Sequence, residues 1–157
     1  MNRLLCCLVL SFAAAAAGAQ SLTAEHGWIR SAPPGAPVLA GYVRLSNPGE
    51  TPLRVVEARS SAFEAIEIHE TIEQDGVARM RPVGEIVILP GASVNLEPGG
   101  LHLMLMRPRR KLMLGDSVVV DLITDDGEAL PLVLGVRSMP AGDGHEHSQH
   151  DHDHGQP

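Results

Sequence analysis

Leu101-His102-Leu103-Met104-Leu105-Met106 alternates without a break between leucine and a residue carrying a nitrogen or sulfur donor. In a β-strand successive side chains point to opposite faces. The three leucines therefore share one face, and His102, Met104 and Met106 share the other. With the leucines against a core, the strand presents an imidazole and two thioethers outward. Residues two apart are separated by about 6.6 Å along a strand, a gap that one metal ion bridges through both side chains.

The same reading extends along the chain. Val38 to Ser46, Pro52 to Ala58, Phe63 to Ile72, Val77 to Val83, Ser93 to Leu96, Val118 to Thr124 and Ala129 to Val136 are short, β-branched or alternating. Asn47-Pro48-Gly49, Asp75-Gly76, Pro90-Gly91, Pro98-Gly99-Gly100, Gly115-Asp116 and Asp126-Gly127 supply the turns between them. No window offers an amphipathic helix of about ten residues or more. Many short strands with frequent turns predict an all-β domain, an antiparallel sandwich or barrel with Greek-key-like connections.

Both ends of the chain stand apart from that domain. Arg3, the apolar run Leu4 to Ala17 and the small residues Ala17-Gly18-Ala19 have the form of a secretory signal over 1–19. The run is too short for a span of about 20 residues, and Cys6 and Cys7 lie near its start rather than at its end, which argues against a lipid-modified cysteine. Cleavage before Gln20 would leave 138 of the 157 residues, no cysteine and a charge of −8. Thiol chemistry, a blue-copper centre and a cysteine zinc site are then excluded. At the other end, residues 140–157 hold His145, His147, His150, His152 and His154 with Asp151 and Asp153 and almost nothing apolar. Such a stretch cannot offset its chain entropy and is expected to be a disordered, metal-binding tail. Residues 20–139 form the expected domain. The net charge of −7 argues against a nucleic-acid backbone as partner.

A second donor pair lies upstream. His69 and Met80 flank Gln74-Asp75-Gly76, which reads as a hairpin turn and sets the two residues nearly opposite one another. His69 falls on the face away from Ile66 and Ile68. Two His–Met pairs make an N₂S₂ site if the hairpins meet. Thioethers are soft and neutral and prefer Cu(I), while the harder donors of the tail prefer Cu(II), Ni(II) or Zn(II). Met is also a common gap-filler in cores, so each residue taken alone says little.

The spacing is more specific. His69, ten residues, Met80, twenty-one residues, His102, one residue, Met104 resembles the signature of the periplasmic Cu(A) chaperone family, the PCu(A)C proteins. Gly27-Trp28-Ile29-Arg30-Ser31-Ala32-Pro33-Pro34-Gly35, Ala78-Arg79-Met80-Arg81-Pro82-Val83 and Leu96-Glu97-Pro98-Gly99-Gly100-Leu101-His102-Leu103-Met104-Leu105 are similar to that family's text, and the likeness spans about residues 22 to 136. The resemblance implies a cupredoxin-like β-sandwich that binds one Cu(I) through His69, Met80, His102 and Met104. It implies a carrier rather than an enzyme, acting in the periplasm and delivering copper toward the Cu(A) site of apo cytochrome c oxidase subunit II. Met106 lies outside the motif and reads as a neighbour of the site. Glu70 stands where many relatives have Met.

Other readings compete. A periplasmic copper or zinc buffer would need no specific acceptor, and a metal-free secreted interaction module would leave the spacing accidental. Enzymatic readings fare worse. A copper mono-oxygenase needs an N-terminal His where Gln20 is expected, and no Ser/His/Asp or paired-carboxylate cluster is evident. His26 and Trp28, two apart, are expected to share a strand face, with Trp28 packing and His26 at the surface.

Overall fold

Alternation becomes strand structure throughout residues 22–139, the part of the chain that the computed structural model describes. The expected signal and the histidine tail lie outside the described residues. Ten strands succeed one another: β1 (Thr23–Arg30), β2 (Val38–Ser46), β3 (Leu53–Arg59), β4 (Phe63–Gln74), β5 (Val77–Pro82), β6 (Ile86–Ile88), β7 (Ser93–Leu96), β8 (Leu101–Pro108), β9 (Ser117–Thr124) and β10 (Ala129–Arg137). Among the described residues there is no helix, and none long and apolar enough to cross a membrane.

Hydrogen bonds join the strands in the order β5-β4-β8-β2-β1-β10-β9-β3-β6, with β7 against β2. Many neighbours are distant in sequence, as Greek-key-like connections require. The sheet wraps around one core, and every strand except β5 contributes to it: Ile29, Leu45, Val55, Ile68, Ile88, Leu96, Leu103, Leu105, Val120 and Leu134 belong to a single buried cluster. Gly41 on β2 permits close packing against β8. A Cβ there would lie 3.3 Å from both Leu103 Cβ and Leu105 Cδ1.

Three features depart from expectation. β1 and β10 pair in parallel, whereas all other pairs are antiparallel. β1 carries no strand signature in the sequence because a bulge breaks its alternation: the register slips between Glu25 and Trp28, and His26 has φ of 55°. That slip also separates His26, which is exposed, from Trp28, whose ring lies 4.6 Å from that of Tyr42. β6 has three residues, too few to show a period.

The β4–β5 hairpin turns on Asp75 and Gly76, both with positive φ (55° and 73°), as a two-residue type I′ turn demands. Gln74 consequently pairs with Val77. Just past β2, Asn47 is buried and ties the β2–β3 loop to the end of β6. Its Nδ2 donates to the Thr51 and Ile88 carbonyls at 2.8 and 2.9 Å, and its Oδ1 accepts from Gly49 N at 2.9 Å.

Adjacent residues of β8 therefore answer to different forces. Leu103→Ala is expected to cost about 2–5 kcal/mol in urea unfolding through lost burial and a cavity. Met104→Ala, half-buried on the other face, is expected to cost about 1 kcal/mol.

Candidate metal centre

Two histidines face each other across a strand pair. β4 and β8 run antiparallel with Ile68 opposite Leu103 and His69 opposite His102. Ile68 and Leu103 enter the core, so the next residue along each strand turns to the other face. The imidazole centroids are 6.1 Å apart, with the rings inclined at 45°. Both side chains point away from the core, as expected, yet neither is solvent-exposed: His69 is 9% and His102 7% accessible. Their strands are interior ones, with β5 and β2 on the outer sides, and this position screens them.

Hydrogen bonding fixes how the two rings present their nitrogens. Nδ1 of His102 lies 3.1 Å from the carbonyl of Gly100. A carbonyl only accepts, so Nδ1 carries a proton, and in the neutral ring Nε2 keeps a bare lone pair. Nε2 of His69 lies 2.8 Å from Oε2 of Glu67 and donates to that carboxylate. In the neutral ring its Nδ1 is then the bare nitrogen, and it is the one buried side-chain polar atom among the described residues without a hydrogen-bond partner. An orphaned buried acceptor costs about 1–3 kcal/mol. A ligand that accepts a lone pair would remove that cost.

The methionines take diagonal positions around His69. Met104 is opposite Glu67, one diagonal step from His69 across β8. Met80 is opposite Thr71, one diagonal step away across β5, while Pro82 occupies the position facing His69. The expected direct pairing of His69 with Met80 is thus corrected by two residues, because the turn closes on Asp75-Gly76 and leaves Gln74 in the strand. An even slip preserves the face, so Met80 remains on the His69 side of the sheet. Diagonal partners lie about 7–8 Å apart, within reach of long side chains. Met80 is 66% exposed on a strand whose residues all face solvent. Met106 pairs with Ala65 and Val38, one row beyond the others, which fits a neighbour.

Glu70 points to the opposite face and accepts from Arg81 Nη2 and Nε at 2.7 and 3.0 Å. Tyr42, on the same face as His102, has its phenol pushed up by burial, partly offset by Arg30, and so stays protonated. Among the described residues no three His, Cys, Asp or Glu side chains come together as a metal site. Beyond the two imidazoles, the soft donors that the register puts on this face are the thioethers of Met80, Met104 and Met106. Two contributors were not anticipated from sequence, Glu67 and the Gly100 carbonyl. Glu67 could have been found, since two residues before His69 on a strand is the same face.

Known proteins resemble the chain in sequence and in fold. The family described as "Putative lipoprotein LpqE-like" matches residues 22–136. The chain belongs to the LpqE-like family. "Putative lipoprotein Lxx21020" of Leifsonia xyli subsp. xyli is 30% identical over 122 residues, 77% of this chain and 72% of that protein. Among solved structures, CuI-DR1885 from Deinococcus radiodurans is 26% identical, covers 76% of this chain and 78% of its own, and superposes with a TM-score of 0.59. The copper-bound PCuAC domain from PmoF2 is 19% identical over 75% of this chain and 93% of its own, with a TM-score of 0.63. The cupredoxin-like, PCuAC-type fold expected of this LpqE-like chain is therefore its fold.

The hydrogen bonds predict opposite tautomers in the metal-free protein. Long-range ¹⁵N–¹H correlation should find His69 protonated at Nε2 and His102 at Nδ1. Glu67→Ala should mix the His69 tautomers, and Glu67→Gln, which still offers an accepting oxygen, should largely preserve them.

Proposed function

We propose that this protein is a copper carrier, binding one Cu(I) through His69, His102, Met80 and Met104 and passing it on by ligand exchange. The observation that supports this reading most is the pair of bare nitrogens. Two buried imidazoles, facing each other and each held by a hydrogen bond at its far nitrogen, leave His69 Nδ1 and His102 Nε2 for a shared ligand. Such outer hydrogen bonds are what orient histidine ligands in metal sites generally. Met104 and Met80, on the diagonals of His69, supply two thioethers on the same face, and a neutral N₂S₂ set suits a soft monovalent ion better than Zn(II), Mg(II) or Ca(II). The likeness to a relative solved as CuI-DR1885 supports the same metal.

The positions suggest an order for release. Met80 sits on an exposed strand outside the core and is the donor that an incoming thiolate or imidazole displaces with least disturbance. The histidines, buried on interior strands, leave last. Copper then moves between protein donors without passing free into solution, in the direction of the tighter site. We assign the acceptor to the Cu(A) site of apo cytochrome c oxidase subunit II and the compartment to the periplasm, reached through the 1–19 signal. The five tail histidines would gather Cu(II), whose preference for nitrogen and carboxylate donors they match.

Competition against a chromophoric Cu(I) chelator tests the site. The wild-type chain should bind one equivalent, and His102→Ala/Met104→Ala should bind none while keeping its strand spectrum. Met80→Ala should weaken binding at least tenfold, about 1.4 kcal/mol. Failure of Cu(I) to transfer to an apo subunit II domain, with binding intact, would make the protein a buffer instead. Truncation after Met139 should abolish Cu(II) uptake and spare Cu(I); loss of both, or of neither, contradicts the division between tail and domain.

A further inference from the structure

The chain is acidic, yet Arg107-Pro108-Arg109-Arg110-Lys111 gathers four of its twelve cationic residues into five positions. The stretch ends β8 and begins the loop to β9. Arg107, Pro108, Arg110 and Lys111 line one side of a groove of about 290 Å³, with Pro33, Pro37, Leu39 and Leu112 also in its lining and Arg109 just outside it. Two of the cations are already engaged, Arg107 by Glu64 and Arg110 by Asp116 at 2.9 Å. Arg109 and Lys111 are exposed and have no carboxylate partner among the described residues. Arg109 is nevertheless held in place, since its backbone N donates to Ala62 O at 2.9 Å.

The described chain ends beside this groove. Val136 N donates to Asp116 O at 2.7 Å, and Arg137 O accepts from Ser31 N at 2.8 Å, one residue before the groove wall at Ala32. The chain continues past Met139 for 18 residues, 140–157, with Asp143, Glu146, Asp151 and Asp153 and no lysine or arginine. Extended, this segment reaches up to about 60 Å, far more than the groove requires. A ligand tethered this closely has an effective concentration in the millimolar range, so a weak attraction suffices to hold it. We infer that the Arg107–Lys111 groove is the docking site of the chain's own acidic histidine tail. Pro108 is six residues along β8 from His102, roughly 20 Å. The docked tail is thereby parked at the far end of the strand and leaves the histidine–methionine face open. This docking is independent of the copper assignment.

Lys111 is the only lysine in the sequence, which gives the groove a specific chemical reporter. A carbodiimide joins carboxylates to amines in contact. In the metal-free full chain at pH 7 and low salt, mass spectrometry should find Lys111 linked to Asp143, Glu146, Asp151 or Asp153. The yield should fall at least about fivefold in 0.5 M salt, where the Debye length is only a few ångströms, and equally in Arg109→Glu. The amide resonances of Arg109 to Leu112 should shift in the Asp143→Asn/Glu146→Gln/Asp151→Asn/Asp153→Asn protein. Lys111 joined only to domain carboxylates such as Asp116, a tail link indifferent to salt, or unmoved resonances overturn the inference. So does a tail link found only between ¹⁴N and ¹⁵N chains in a mixed sample. Sedimentation with phosphatidylglycerol vesicles that Arg109→Glu abolishes, without any tail link in their absence, would give the groove to an anionic membrane and also overturn it.

Discussion

The antiparallel pairing of β4 with β8 is the constraint on which the rest depends. It sets Ile68 against Leu103 in the core and His69 against His102 on the other face. A slip of one residue along either strand would turn that strand's histidine inward and its apolar partner outward. Burying an unpaired imidazole while exposing an aliphatic side chain is unfavourable on both counts. The hydrophobic core therefore enforces the register of the polar site, and the site needs no separate device to bring its two rings together. Glu67 and the Gly100 carbonyl then choose which nitrogen each ring leaves bare.

Much of this is legible in the sequence because β-strands have a period of two. The leucines at 101, 103 and 105 already divide β8 into a core face and a donor face, and the structure keeps that division. The parallel β1–β10 pair is not legible, since no local pattern distinguishes the direction of a partner about 100 residues away. Nor is β1 itself, where the bulge at His26 interrupts the alternation. The hairpin register differs by two residues from the sequence reading because Gln74 looks like part of the turn; only the positive φ at Asp75 and Gly76 shows that two residues suffice. The burial of the histidines is also not legible, because strand order, rather than alternation, decides which polar side chains have neighbours on both sides. Glu67 is a different case, since the same alternation places it beside His69.

The arrangement separates tasks along the length of β8. One end carries the facing imidazoles and, by register, the methionines on either diagonal of His69. The other end carries a cationic loop fastened to β3–β4 and β10 by backbone hydrogen bonds. Rigid, buried imidazoles next to an exposed methionine strand suit a site that must hold an ion and then surrender it. A site buried on every side would bind more durably and release more slowly.

X-ray absorption at the copper edge reads the proposed donor set most directly. With one equivalent of Cu(I) on the full chain, the shell should hold two nitrogen and two sulfur scatterers, with sulfur reduced to one in Met80→Ala. A shell of nitrogen and oxygen alone, or one unchanged in Met80→Ala, would contradict it.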